Sequence, residues 1–283
     1  AHVRSRLPAM RAIVAATLVV FAAAAPSLPT CGQTPIKPDL TVSGSVVNGS
    51  WPWTVAICHE DWFGNCAFKA AGVIINERWI LSTYSALFEF GSGYYVKAGV
   101  IDPSDRNEEF EQFISVKMSY ANGITNNTTH VNDFALIELS RPLRFTDHVQ
   151  PICLANKNDD ETKAGVKAWF TAWGNSQASS STAAQSLHQA QLSFEEPGTC
   201  KNSLGYFYDN SQLCVGSSGK TPCTDDMGGP LMEQRADGAW YLLGLSATAN
   251  SEYVERGCES ASIFTRVSIF CTFIVEIAGI MCR

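Results

Sequence analysis

The chain has 283 residues, of which 46 % are apolar, with ten cysteines and a formal charge of −7 at pH 7. That apolar share supports a sizeable core, and the even cysteine count points to an oxidising compartment. The acidic balance repels phosphate backbones, which argues against nucleic acid as a partner and against heparin outside a local basic patch.

Met10 and Arg11 precede the apolar run "AIVAATLVVFAAAA". A charged start, a short apolar stretch and a small-residue end predict a secretory signal peptide within residues 1–25, cleaved near Ala25. The run is short for a membrane span, and no later segment reaches 18 apolar residues, so no membrane span is expected. The leader carries Arg4, Arg6 and Arg11 and no acidic residue, so its loss takes the charge from −7 to −10. Roughly 250 residues then remain, enough for one large β domain or two small ones.

The rest of the chain reads as short strands. "WTVAIC", "KAAGVIINERWILS", "YYVKAGV", "FISVKM", "FALIEL", "GVKAWFTAWG" and "WYLLGLSA" are rich in β-branched and aromatic residues and are separated by turn residues. Only "RVSIFCTFIVEIAGI" has apolar residues at three- and four-residue spacings, predicting a C-terminal helix. There is no internal repeat, heptad run or low-complexity tract. The residues alone give an all-β fold with one terminal helix.

Certain segments carry more than periodicity. "GSWPWTVAI", "GVIINERWILS", "NDFALIEL", "VQPICLA", "TAWG", "QLCVG", "CTDDMGGP" and "SIFTRVSIF" follow one another in this order. Their identity, order and spacing resemble the trypsin/chymotrypsin-like serine protease family from about Leu40 to the C-terminus. The resemblance implies two packed six-stranded β-barrels with a cleft between them and a C-terminal α-helix. It divides the chain into a leader (1–25), a propeptide-like segment (26–39) and a protease-like domain (40–283) whose barrels meet near residue 150.

The family's chemistry needs a nucleophilic serine, a histidine base and an aspartate that holds the histidine. On this sequence the histidine position falls on Ser85 in "RWILSTYSAL", the aspartate on Asp133, and the serine on Met227. The five histidines are His2, His59, His130, His148 and His188, and none is near Ser85 in sequence. A thioether has no proton to lose and forms no stable acyl ester. The oxyanion hole implied by the resemblance uses backbone N–H groups of Asp225 and Met227. A carboxylate at Asp225 places like charge near the oxyanion. The specificity pocket falls on Thr221, Ala247, Thr248 and Ala249, where Ala249 would crowd the approach of a substrate strand.

The family's cysteine after the catalytic histidine and its partner upstream fall on Ala86 and Ala70, and a second family pair falls on Ala168 and Glu233. Partners absent together leave no stray thiol. The resemblance implies the bridges Cys200–Cys214, Cys223–Cys258 and a propeptide link Cys31–Cys153. Cys58–Cys66 with Cys271–Cys282 is the economical pairing of the other four. Cys58–Cys271 with Cys66–Cys282 is the alternative, because sequence does not fix connectivity. "CHEDWFGNC" as a metal site is a further reading, but no metal or other cofactor is expected.

Family zymogens are cut after a basic residue, and the new terminus pairs with the aspartate matching Asp226. Here the new terminus would be Leu40 or Thr41 in "KPDLTVSGS", where no basic residue precedes the bond and Lys37 is followed by Pro38. Asp226 is therefore expected to be exposed or to be hydrogen-bonded by another group. Glu108, Glu109 and Glu111 match a loop that binds calcium in some relatives, but without ordered ligand spacing a solvated loop is expected. Asn48, Asn126 and Asn127 lie in N-x-[ST] sequons.

These features give one leading expectation. It is a secreted, non-catalytic, monomeric homologue that binds an extracellular protein such as a protease, zymogen or inhibitor, as decoy, cofactor or regulator of a protease cascade. The alternatives are a weak hydrolase with a relocated nucleophile, for instance Ser82 or Ser85, and a small-ligand or carbohydrate binder using the vacated cleft.

Overall fold

The computed structural model of the chain describes residues 31–41, 43–60, 66–88, 93–121, 129–157, 162–174, 186–216, 222, 226–247 and 261–283. The leader lies outside the described residues.

The strand-rich first half forms β2 to β7, after a two-residue strand β1 (Gly44–Ser45). These are β2 (Thr54–Glu60), β3 (Cys66–Ile74), β4 (Trp79–Ser82), β5 (Tyr94–Ala98), β6 (Gln112–Ala121) and β7 (Ala135–Leu139). They close an antiparallel barrel in the order β2-β3-β4-β7-β6-β5. The run "KAAGVIINERWILS" reads as one strand in sequence, but it folds back at Asn76. There the Asn76 side-chain oxygen accepts the N–H groups of Arg78 (2.7 Å) and Trp79 (3.0 Å) and makes the turn that separates β3 from β4.

The second half supplies β8 (Cys153–Leu154), β9 (Lys167–Ala172), β10 (His188–Phe194), β11 (Gln212–Gly216), β12 (Pro230–Gln234), β13 (Trp240–Ser246) and β14 (Ser262–Arg266). The ring β10-β11-β14-β13-β12-β9 is closed by β9 pairing with β10, giving a second six-stranded antiparallel barrel. Strand β1 pairs with β10, so the chain touches the second barrel before it builds the first. Strand β8 lies parallel to β13.

The barrels are joined by a shared core. Trp51 stacks edge-on against Trp240 with centroids 4.7 Å apart, and its indole N–H donates to Gln189 Oε1 at 2.7 Å. The Trp53 indole donates to Met232 Sδ at 2.8 Å, and the hydroxyls of Thr54 and Thr171 bond at 2.9 Å. Trp53, Trp240, Ile57 and Leu136 are fully buried. Truncating any such side chain removes about 2–5 kcal/mol of stability.

The C-terminal helix is shorter than its periodicity suggests. Arg266 ends β14, Val267–Phe270 is a 3₁₀ turn, and α3 spans Cys271–Ala278. It stops at Gly279 in the left-handed region, whose N–H bonds to Val275. Two further helices are α1 (Ser85–Phe88) and α2 (Pro197–Leu204). Pro197 in the first turn and left-handed Gly205 at the end bound α2, a signal the strand-dominated reading passed over. Among the described residues no helix is long and apolar enough to cross a membrane. The structure contains the disulfides Cys31–Cys153, Cys58–Cys66, Cys200–Cys214 and Cys271–Cys282. Cys223 and Cys258 lie outside the described residues.

Candidate functional site

Both barrels deliver residues to one cluster. Ser85 opens α1 just after β4, Asp133 lies two residues before β7, and Met227 sits in the turn that leads into β12. Asp133 is fully buried, and its carboxylate is the hub. Oδ1 accepts the Ser85 N–H at 2.7 Å, and Oδ2 accepts the Ser85 hydroxyl at 2.6 Å. The Asp133 carbonyl accepts the Thr265 hydroxyl at 2.9 Å, which ties the hub to β14 of the second barrel.

An imidazole also reaches this hub through Asp133, although no histidine lies near Ser85 in sequence. Nδ1 of His130 lies 3.3 Å from Asp133 Oδ2, and His130 is buried. His130 (φ 50°) and Asn132 (φ 56°) are both left-handed, and this doubled turn folds residue 130 back onto residue 133. The order of contact is serine, carboxylate, imidazole. In a working triad the imidazole stands between the other two and takes the serine proton. Here the Ser85 hydroxyl is bonded to the carboxylate itself, with no imidazole between them.

Met227 is half-buried, with its sulfur 3.8 Å from Ser85 Oγ. Its backbone holds the turn in place, since its carbonyl accepts the Ala71 N–H at 2.9 Å and the Gly228 N–H donates to Ser246 at 2.8 Å. Gly228 is left-handed (φ 78°), and a Cβ there would overlap the Ala71 carbonyl and Ser82 Oγ. Ser82 is buried and donates to the Ala71 carbonyl at 2.8 Å, so its hydroxyl is committed away from any base.

Asp226 is buried, and Gly174 donates its N–H to Oδ1 at 2.9 Å. A Cβ at residue 174 would overlap that carboxylate, so the "WG" glycine is what lets the contact form. The segment where a new terminus would arise runs along the surface, with Leu40 40 % exposed. Asp39 accepts both the hydroxyl (2.6 Å) and the N–H (2.9 Å) of Thr41. Those two bonds hold its carboxyl below the ordinary range, the hydroxyl contributing most.

Ala247 is buried at the end of β13, and its N–H donates to Ile263 at 3.1 Å. Thr221, Asp225, Thr248, Ala249, Asn126 and Asn127 lie outside the described residues. Asn48 is exposed in a turn closed by the Ser50 N–H on the Val47 carbonyl at 3.0 Å. Ala70 and Ala86 are both buried, where α1 packs on β3. The pairings Leu231↔Phe170 and Met232↔Trp169, continued by one residue, set Glu233 against Ala168.

The acidic loop is not merely solvated, contrary to expectation. Glu108 Oε1 accepts the N–H groups of Ile101 (2.8 Å) and Asp102 (2.6 Å). Buried Lys97 points its ammonium at the carbonyls of Pro103 (3.0 Å) and Asp105 (2.5 Å) and pairs with Glu111 at 2.9 Å. A lysine from β5 thus supplies the positive charge at the centre of this loop, while Glu109 faces solvent.

Comparison with known proteins gives the same frame. The chain is 28 % identical over 239 residues to CLIP domain-containing serine protease B4 of Anopheles gambiae, covering 78 % of this chain and 65 % of that protein. It is 28 % identical to serine proteinase stubble of Drosophila melanogaster, covering 87 % and 32 % respectively. It is also 28 % identical to ovochymase of the ascidian Halocynthia roretzi, covering 88 % and 16 %. The chain therefore spans less than two thirds of the length of each of these relatives. The Trypsin family profile matches residues 42–274, a span that takes in both barrels and the whole cluster around Asp133. On that match and this double-barrel architecture, the chain belongs to the Trypsin family.

Proposed function

We propose that this chain is a secreted, non-catalytic member of its family, acting by binding proteins as a decoy, cofactor or regulator of an extracellular protease cascade. The observation that carries the reading is the composition of the hub. Ser85 occupies the histidine position and donates its hydroxyl hydrogen bond to Asp133, while the nucleophile position holds the thioether of Met227. No group in that cluster can both attack a carbonyl and hand its proton to an imidazole. Four disulfides among the described residues agree with an oxidising compartment. The acidic balance of the chain, −7 at pH 7, is what supports a binding role for a partner of opposite charge.

The runner-up is a hydrolase using Ser85, and His130 is the one observation in its favour. The carboxylate lies between the two side chains, so a proton must leave Ser85 without the imidazole touching it. An active-site-directed fluorophosphonate separates the readings. No labelled serine is expected. Stoichiometric labelling of Ser85 or Ser82, abolished by His130→Asn, would establish the hydrolase instead.

A further inference from the structure

Away from the cleft, one aromatic ring is held out to solvent. Phe110 is 36 % exposed, and its ring stacks on the imidazole of His148 with centroids 3.5 Å apart and planes 10° from parallel. His148 is itself backed by the chain at Gly49 and Ile36, since a Cβ on Gly49 would fall within contact of both side chains. The loop presenting Phe110 is fixed by Lys97 and Glu108 as described above, and the Glu111 N–H closes a turn on the Glu108 carbonyl at 3.2 Å. An exposed apolar ring ordinarily folds back or moves freely. This one is stacked on the His148 imidazole and is still 36 % exposed.

Each partner of the stack has a carboxylate beside it in sequence. Glu109 precedes Phe110 and Asp147 precedes His148, and both are exposed. The open face of an aromatic ring attracts a cation, and a guanidinium also lies flat on it while its N–H groups reach carboxylates. We propose that the Phe110–His148 stack, with Glu109 and Asp147, is a docking point for an arginine side chain on a basic surface of a partner protein. Complementary charge argues for this occupant, because the chain is strongly acidic once its basic leader is discounted. The proposal rests on the protein-binding reading and gives that reading a location and a ligand chemistry. Pre-fixing the ring lowers the ordering cost of binding, which is what allows a small contact to count.

The probe is a fluorescein-labelled tetra-arginine amide, with its tetra-lysine counterpart, titrated against the intact protein at physiological salt. The arginine peptide is expected to bind about two- to five-fold tighter than the lysine peptide. Phe110→Leu, which keeps apolar volume and removes the ring face, should erase that preference. Glu109→Gln with Asp147→Asn should weaken both peptides, and these changes leave the stack intact if Phe110→Leu proves unstable. The ring signals of His148 should shift on addition of the arginine peptide. Equal affinity for the two peptides, a preference that survives Phe110→Leu, or unmoved His148 signals would overturn the assignment. None of these outcomes bears on fluorophosphonate labelling, so the non-catalytic reading stands or falls separately.

Discussion

Restoring two side chains is the sharpest test of how far this site lies from protease chemistry. Consider Ser85→His combined with Met227→Ser. The introduced imidazole would inherit a prepared place, because the bond from the residue 85 N–H to Asp133 Oδ1 is a backbone bond and survives. It would have to share Oδ2 with His130, which already stands 3.3 Å away. Three deficits remain. On the family resemblance Asp225 keeps the hole's N–H but sets a carboxylate beside the oxyanion, a repulsion we set at the cost of losing one donor, about 2.7–4 kcal/mol or ~10²–10³ in turnover. Asp226 already accepts the Gly174 N–H, and no basic residue precedes Leu40 or Thr41 to direct a cut that would free a new ammonium. On the family resemblance Thr221, Thr248 and Ala249 stand at the substrate-contact positions, and lost positioning would lower the rate further. From an ordinary turnover of ~10 s⁻¹, the first deficit alone leaves ~0.01–0.1 s⁻¹. Turnover of a panel of chromogenic peptides, with fluorophosphonate labelling of the new serine as control, measures it. Adding His130→Asn should raise the residual rate by releasing Oδ2. Turnover of ~1 s⁻¹ or more in the double variant would refute the reasoning, because it would mean that only base and nucleophile were missing.

Lys97→Met should destabilise the protein by about 3–5 kcal/mol, since it strands Glu111 and two carbonyls around a buried position. At about 2–4 °C per kcal/mol for a domain this size, thermal unfolding should show a fall of about 6–20 °C, and an unchanged midpoint would mean the ammonium does not hold the loop. Ala70→Cys with Ala86→Cys should form a disulfide without added oxidant catalyst, closing a loop worth about 3 kcal/mol. Two persistent free thiols by titration would place Ala86, and with it Ser85, off the assigned positions. Asp237 accepts the Ala239 N–H (3.0 Å) and the Tyr241 hydroxyl (2.9 Å), which hold its carboxyl below 3.8, the N–H contributing most. A carboxylate depressed on folding stabilises above its unfolded value and loses that contribution as pH falls through the folded one. The gap in urea midpoint between wild type and Asp237→Asn should therefore be constant above about pH 4 and close at lower pH. A gap that widens on acidification would contradict this.

The barrels were legible because their strands repeat short β-branched and aromatic runs and because the flanking glycines are fixed by packing. Gly228 shows why: its left-handed backbone and its contact with the Ala71 carbonyl admit no side chain. Such a position is fixed by packing whatever the chemistry beside it. His130 was not legible. Three residues from Asp133 in a strand-rich region, it would point elsewhere on an extended chain, and only the left-handed turns at His130 and Asn132 bring it back. The Asn in "HVND" is the one sequence signal for such a turn, and a single Asn is common in loops. The role of Lys97 is hidden in the sequence for a different reason. Its alternating place in "YYVKAGV" suggests a solvent-facing strand residue, and its partners lie on a loop whose path sequence does not specify.

The persistence of Asp133 beside Ser85 and Met227 has a physical explanation that does not involve catalysis. Its carboxylate satisfies the N–H and hydroxyl at the start of α1 and holds His130, and its carbonyl receives Thr265 from the other barrel. Replacing it by an apolar residue would strand those buried donors at about 1–3 kcal/mol each. Gly228 and Asp226 are similarly bound into the fold, one by close approach and the other by Gly174. Met227 and Ser85 differ from these. The side chain of Met227 packs against the core cluster shared by both barrels, and the Ser85 hydroxyl lies over an acceptor that the backbone N–H alone would still engage. On the proposed reading, the positions that changed are those where a side chain serves the reaction. The positions that stayed are those where a side chain, or its absence, holds the barrels together. The family frame around an altered triad is then what folding stability alone would maintain, and retention of the aspartate is no evidence of retained hydrolysis.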